Sequence, residues 1–330
     1  MAEISVIIPV FNTEQYLDRC LDSVLGQDLE DIEVICVDDV STDGSAALIQ
    51  RRAQKDSRLR YIRQEVNAGP GKARNRGLEA ATGRYVYFLD SDDWIEPDFL
   101  SRMLRMAVET GRDVIINSSF VKEYDGSGKK EYGTRFGFLE EEPRAYDTAT
   151  VLLLFPPVLW ARLYRRSYLA DNNIRFPDLR GGGEDNYFTT LAELPLPELF
   201  VFRGPYYHYF QRDDSLAHLR EAGYDFIKSF KALYAELRAR SLPVDGIRLF
   251  YAGPLVIDSE EKFNYIRSFL LEIKQQVLEH SERYIALDLH LLQAVTSSPD
   301  YDHFRDSHNP NISIDFIRSR MKQSLKKGPR

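Results

Sequence analysis

Near the start of the chain, Ile4-Ser-Val-Ile-Ile-Pro-Val10 is almost entirely aliphatic. An apolar run this short, without alternation, reads as a strand covered on both faces. Such a strand belongs inside a sheet with helices on either side. Pro9 has no N–H to give, so pairing must stop beside it. The same grammar then repeats. Phe11-Asn12-Thr13-Glu14 turns into a helix with Leu17, Cys20, Leu21, Val24 and Leu25 at helical spacing. Ile32-Glu-Val-Ile-Cys-Val37 is a second strand, ending in Asp38-Asp39. Ser41-Thr42-Asp43-Gly44-Ser45 supplies capping chemistry for a helix carrying Ala46, Ile49 and Ala53. A short strand, Leu59-Arg-Tyr-Ile62, precedes Asn67-Ala-Gly-Pro-Gly71, which opens a helix over residues 72–81 that Gly83 ends. A fourth strand follows, then a helix from Pro97 to about Thr110 and a strand at Asp113-Val-Ile-Ile-Asn117. This alternation predicts an α/β fold built on a mostly parallel, doubly wound sheet. Ligands of such sheets lie beyond the carboxyl ends of the strands.

The fourth strand delivers the densest chemistry. Tyr85-Val-Tyr-Phe-Leu-Asp90-Ser-Asp92-Asp93-Trp94 ends an apolar run in three carboxylates. Clustered like charges need a cation between them, and Mg²⁺ or Mn²⁺ takes one or two protein carboxylates with phosphate oxygens and water. Asp90 and Asp92 can share a metal-diphosphate; a solvated acidic turn is the plainer alternative. Asn12, Asp38 and Asp39 fall at neighbouring strand ends, so polar groups from separate strands converge on one crevice. Asp38 and Asp39 suit a nucleobase N–H and ribose hydroxyls, or a helix N-terminus. Lys72, Asn75 and Arg76 share one helix face behind Gly69 and Gly71, a phosphate cradle or a solvated basic face. A P-loop is excluded because Ala73 follows Lys72, and a dinucleotide fingerprint because Arg74 stands where its third glycine belongs. Further on, Glu184-Asp185 opens a helix behind Gly181-Gly-Gly183, and either carboxylate is a candidate base or a dipole partner.

From Phe120 to Tyr146 the pattern weakens, with Gly126-Ser-Gly-Lys-Lys a hairpin tip or a mobile loop. An apolar stretch between Ala149 and Leu169 carries Trp160, Arg162 and Leu163. A strand at Leu199-Phe-Val-Phe202 and the aromatic, basic run Tyr206-Tyr-His-Tyr-Phe-Gln-Arg212 come next. Beyond about Gly223 the chain is helical. The expected organisation is residues 1–116, residues 117–217 and a helical region, residues 218–330. The formal net charge of -8 argues against nucleic-acid binding. Cys20 and Cys36 fall in a helix and a strand, with neither disulfide nor zinc spacing, which suits a reducing cytoplasm. A strand begins almost at once, leaving no room for a signal peptide. The apolar run of residues 151–161 is too short for a bilayer and contains Pro156-Pro157, so a soluble protein is expected.

Taken together, these pieces resemble the family-2 inverting glycosyltransferases of GT-A fold, of the bacterial polysaccharide-biosynthesis type. The matching segments are Val6-Ile-Ile-Pro-Val-Phe-Asn12, Val37-Asp-Asp-Val-Ser-Thr-Asp-Gly-Ser45, Asn67 through Ala73-Arg-Asn-Arg-Gly77, and Phe88-Leu-Asp-Ser-Asp-Asp-Trp94. Downstream, Leu163-Tyr-Arg, Phe176-Pro, Gly183-Glu-Asp185 and Tyr207-His-Tyr209 with Ser215 look like an acceptor half. The resemblance covers roughly residues 3–216. It implies a nucleotide-diphosphate sugar donor, commonly UDP-linked, with Pro9 and Asp39 at the base and Asp38 beside them, Arg76 on the nucleotide or diphosphate, Asp90 on the ribose or diphosphate side, Asp92 as metal ligand and Asp185 as catalytic base. His208 and Arg212 are speculative contacts to diphosphate or acceptor. Val40 departs from the small residue common after the Asp pair. The Gln-x-x-Arg-Trp motif of processive synthases is absent, which implies transfer of one sugar or a few.

The acceptor is expected to be a glycan, free or linked to lipid or protein, in surface glycan synthesis. The alternatives are a sugar-phosphate nucleotidyltransferase, which would want a Gly-rich basic loop after the first strand, or a non-catalytic nucleotide-sugar-binding protein. The C-terminal helices are candidates for homo-oligomer contacts. The basic end, residues 318–330, is a candidate for peripheral contact with the inner face of a membrane, or simply solvated.

Overall fold

The computed structural model describes residues 2–124, 128–134, 143–148, 151–152, 158–179, 182–211, 222–242, 260–279, 295–300 and 302. The chain divides into two compact units, Met1–Arg180 with Glu184–Ser215, and Gly181–Gly183 with Leu216–Arg330.

In the first unit, β1 (Ile4–Val10) and β2 (Ile32–Asp38) are buried at every position. They lie beside β3 (Leu59–Arg63) and β4 (Tyr85–Phe88) in the order β3-β2-β1-β4, all parallel. Helices α1 (Glu14–Leu25), α2 (Ser45–Ala53) and α3 (Pro70–Ala80) make the crossovers. Ile7 O accepts from Leu89 while Val10 O accepts from Asp39. Odd-numbered residues of β1 therefore face β4, whose pairing ends at Ile7 with Phe88. Pro9 faces that side, past the last pair, so its missing N–H breaks no bond. The side facing β2 stays paired as far as Val10 with Asp38.

The sheet then departs from the simple alternation. After β5 (Trp94–Ile95) and α4 (Phe99–Thr110) comes β6 (Val114–Asn117), yet β6 does not lie next to β4. The strand between them is β10 (Arg162–Arg165), antiparallel to both. Its sequence, Arg-Leu-Tyr-Arg, hides this role because Arg162 is 1% exposed. Burial is tolerated because Glu193, itself 0% exposed, pairs with the guanidinium, and Val158 O takes another of its N–H groups at 2.9 Å. The eight-stranded sheet ends with β11 (Glu198–Phe202), parallel to β6, and β9 (Arg144–Asp147). A four-stranded sheet runs β5-β12-β7-β8, with β7 (Ser119–Tyr124), β8 (Lys130–Thr134) and β12 (Tyr207–Gln211). The antiparallel β7–β8 pairing is the hairpin expected from its glycines. Short helices α5 (Arg166–Asp171) and α6 (Glu184–Glu193) complete this unit.

In the second unit, α7 (Ala222–Ala239) and α8 (Glu260–Glu279) meet through Phe230 and Tyr234 against Phe269, at 6.1 and 5.8 Å between ring centroids. Among the described residues no helix is long and apolar enough to cross a membrane.

At the amino ends of the strands one carboxylate closes the sheet. Glu33 on β2 accepts from Ser5 Oγ at 2.6 Å, Thr82 N at 2.6 Å, Thr82 Oγ1 at 2.8 Å and Gly83 N at 3.1 Å, and pairs with Arg60 at 3.0 Å. Burial opposes its charge, but these bonds hold its pKa below the usual value. Glu33→Ala leaves buried donors unpaired and should cost roughly 1–3 kcal/mol, read as a lower urea midpoint. The wild-type advantage is full above the unfolded glutamate pKa of about 4.3 and fades as pH falls through the lower folded value.

Candidate active site

The opposite, carboxyl ends of β1, β2 and β4 carry the predicted polar residues. Asp38 is fully buried and fully used: Oδ1 accepts from Ser41 N at 2.8 Å, and Oδ2 from Tyr61 at 3.0 Å and Arg63 at 2.9 Å. Its role in the fold is to tie β2 to β3 and to the turn that follows. Asp39 is buried as well, at 3% exposed, but bonds the segment before α3. It accepts from Gln64 Nε2 at 2.6 Å, Ala68 N at 2.8 Å and Gly69 N at 2.7 Å, so it shapes the loop that launches α3. Gly69 there has φ +88°, open to glycine without penalty.

Two non-glycine residues of this crevice have left-handed backbone, Asn12 at φ 51° and Val40 at φ 66°. Asn12 suits that region and its Oδ1 accepts from Thr42 N at 2.8 Å. A β-branched residue does not suit it, so Val40 holds a strained turn after the Asp pair. Strain of this kind persists where surrounding contacts over-determine the backbone. Here Asp39 N bonded to Val10 O at 2.8 Å and Ser41 N bonded to Asp38 pin the turn from both sides.

The acidic turn after β4 divides its carboxylates. Asp93 is 1% exposed and accepts from Tyr207 Oη and, at 2.7 Å, from Phe210 N. Burial, with Asp92 and Asp90 nearby, pushes its carboxyl well above the ordinary range against those two bonds. It fastens the turn to β12. Asp92 is half-buried, with its carbonyl 3.5 Å from Arg19. Asp90 is met by a residue that the motif reading passed over, Arg74.

Arg74 is 4% exposed. Its Nη2 lies 2.8 Å from Asp90 Oδ1, and its Nη1 lies 2.9 Å from Glu184 Oε1 and 3.1 Å from Asp185 Oδ1. Burial disfavours its charge, but Asp185, Asp90 and Glu184 more than compensate and raise its pKa. The Asp185 carboxyl is pushed up by burial, relieved by Arg74 and pushed further by Glu184 and Asp90. Helix α3 brings Arg74 here because Gly77 packs on β1: a Cβ at Gly77 would sit 2.3 Å from Ile7 Cγ2. Gly71, Arg74, Gly77 and Leu78 form the buried face of α3. An arginine on an apolar stripe must find carboxylates, and that was the legible signal for it.

The remaining predicted residues are placed as follows. Pro9 is the penultimate residue of β1, in register with Val37 just before the Asp pair. Asn75 clamps the Phe176 backbone, donating to its O at 3.0 Å and accepting from its N at 2.9 Å. Lys72 pairs with Asp178 at 2.6 Å. Arg76 lies on the outer side of α3, half-exposed, paired with Glu79 at 2.9 Å, while Arg74 two residues earlier points into the site. His208 stacks on Trp94 at 5.1 Å between centroids and bonds Glu123 at 2.8 Å. The Arg19 guanidinium also lies over the Trp94 ring, 3.4 Å from its centroid. Arg212 and Ser215 lie outside the described residues.

A doubly wound sheet whose carboxyl ends gather an Asp pair, an acidic turn and the Glu184–Asp185 carboxylates has the GT-A architecture. Residues 5–171 match the family described as Glycosyl transferase family 2, and the chain belongs to that family. It is 36% identical over 213 residues to EpsH of Bacillus subtilis (strain 168), covering 62% of this chain and 60% of EpsH. It is 33% identical over 215 residues to the poly(ribitol-phosphate) beta-glucosyltransferase of Bacillus spizizenii, covering 64% of this chain and 33% of that enzyme. The chain thus spans only part of the length of these relatives. Among solved structures, S. aureus TarS 1-349 in complex with UDP-GlcNAc superposes with a TM-score of 0.63 at 25% identity, over 92% of this chain and 90% of that one.

Asp93→Ala should leave Phe210 N–H and the Tyr207 hydroxyl without partners. The expected cost is roughly 1–3 kcal/mol in chemical denaturation.

Proposed function

We propose that the protein transfers one sugar from a UDP-linked donor to an acceptor hydroxyl, with inversion, in surface glycan synthesis. The observation that carries this reading is the pairing of Asp185 and Asp90, from two distant elements, on one buried guanidinium. It brings a proton acceptor next to the donor side of the crevice. The donor class is supported by the crystallised likeness of TarS to this chain, since TarS was solved with UDP-GlcNAc and with UDP. The glycan acceptor is supported by the poly(ribitol-phosphate) glycosyltransferases among its relatives.

In this reading Asp39 and the strand end at Pro9 and Asn12 face the nucleoside, and Asp90 faces the ribose or diphosphate. Asp185 takes the proton of the acceptor hydroxyl as its oxygen bonds to the anomeric carbon. The bond from that carbon to the diphosphate oxygen breaks, and its electron pair leaves with the nucleoside diphosphate. A single displacement needs no covalent enzyme intermediate. Burial and neighbouring carboxylates make Asp185 a stronger base than a solvated aspartate.

A divalent metal fits the donor set. Mg²⁺ or Mn²⁺ takes one or two protein carboxylates and completes its shell with phosphate oxygens and water, and the turn after β4 offers two, Asp90 and Asp92. Asp92 would hold it, with Asp90 alongside. When bound, Mn²⁺ or Mg²⁺ supplies positive charge to the leaving diphosphate.

Incubation with a panel of nucleotide sugars and Mn²⁺, then with acceptors, should show turnover of a UDP-sugar. Asp185→Asn should lower transfer by roughly 10²–10⁴-fold while UDP binding by calorimetry stays within a few-fold. Intact transfer in that variant refutes the base. Because the base must be ionised and its pKa is raised, kcat should go on rising with pH beyond the ordinary aspartate range, near about 3.9. Chelation by EDTA should abolish turnover, and Mn²⁺ should restore it; release of pyrophosphate from a nucleoside triphosphate would instead mark a nucleotidyltransferase.

A further inference from the structure

Glu184 and Asp185 are adjacent carboxylates at the start of α6, and both reach the same nitrogen of Arg74, at 2.9 and 3.1 Å. They differ in access. The Glu184 side chain is 11% exposed and that of Asp185 is 32% exposed. Only the second is open to an incoming hydroxyl. The other guanidinium nitrogen is spent on Asp90 at 2.8 Å. Arg74 itself has little room to move. Its helix is locked to β1 at Gly77, Asn75 holds the Phe176 backbone, and the Phe176 ring lies 5.6 Å from the guanidinium carbon. Its Nε is buried with no protein partner. Buried donors are seldom left unpaired without a reason, so the planar group is set by its two forked nitrogens rather than by all of its hydrogen bonds.

We propose that Arg74 is a positioning residue for transfer: it fixes the Asp185 carboxylate against the donor-side Asp90, and with Glu184 as a buried counter-charge it sets how basic Asp185 is. The inference rests on Asp185 being the base. A bidentate guanidinium spanning two carboxylates from different elements defines their separation, which a lysine ammonium, a point charge, does not. A shift of about 1 Å in a reacting group can cost roughly 10²-fold in rate. The charge balance is equally specific. One guanidinium faces three carboxylates, so the cluster stays anionic and Asp185 keeps its appetite for a proton. The groups bearing on Asp185 are Arg74 from α3, Asp90 from the turn after β4, Glu184 from its own helix, and Arg162 with Tyr164 from β10. Arg162 is already committed to Glu193. That leaves Arg74 as the cation directly bonded to the base.

The test follows the Asp185 carboxyl carbon by ¹³C NMR titration of full-length protein, assigned by its loss in Asp185→Asn, beside the transfer assay. Arg74→Gln should raise the Asp185 midpoint, Glu184→Gln should lower it, and Arg74→Lys should fall between wild type and Arg74→Gln. In transfer, Arg74→Gln should lose roughly 10²-fold in kcat with donor KM within a few-fold. Arg74→Lys should recover only part of that loss, and the acid limb of kcat should move with each midpoint. A residue that merely supports the fold would not shift the two midpoints in opposite directions. If Arg74→Gln does not fold, Glu184→Gln and Arg74→Lys decide the matter. Midpoints unmoved in folded variants overturn the proposal even when the wild type is active. Midpoints that move in a wild type without any sugar turnover uphold the arginine's hold on Asp185 and refute the transferase reading instead.

Discussion

One buried guanidinium holds this fold's working end together. Arg74 brings α3, the turn after β4 and the start of α6 to a common point. Each of those elements is placed by other means, yet their carboxylates would repel one another without it. Coulomb energies between charges a few ångströms apart are large where water is scarce, so one buried and two half-buried acids this close together need a cation between them. The packing of Gly77 on Ile7 is the steric half of the same arrangement, because it sets how deep into the sheet edge the arginine can reach.

The two ends of the parallel strands use acids in opposite ways. At the amino ends, Glu33 is saturated by donors from Ser5, Thr82, Gly83 and Arg60, and it has nothing left to offer a ligand. At the carboxyl ends, Asp38, Asp39 and Asp93 are likewise consumed by the fold, while Asp90 and Asp185 share one guanidinium and stay partly exposed. A carboxylate's chemistry there depends less on its motif than on how many protein donors already occupy its oxygens.

Much of this was legible in the chain. The doubly wound sheet follows from the aliphatic strands, and the crevice follows from the sheet. The acidic turn was legible as a cluster, and its buried bonds to β12 single out Asp93 as the structural member. What the sequence concealed has a common cause, which is charge placed where apolar residues are expected. Arg162 disguised a central strand because its pairing with Glu193 joins residues far apart in sequence. Arg74 was overshadowed by Arg76, which has the same side chain two positions along the helix and points the other way. Periodicity distinguishes them only when the buried stripe through Gly71, Gly77 and Leu78 is followed residue by residue.

The late strand β10 has a consequence for how the molecule is made. Strands β1 to β4 and β6 emerge first during synthesis, but β4 and β6 have no strand to pair between them until Arg162–Arg165 arrives. Until then both present open edges, the kind that recruit strands from other chains. The nascent sheet is therefore finished from its middle, and the insertion that completes it also carries the arginine whose partner, Glu193, is synthesised later still. Closure of the sheet at β10 and the placing of the helix that carries Glu193 are tied together by that one ion pair.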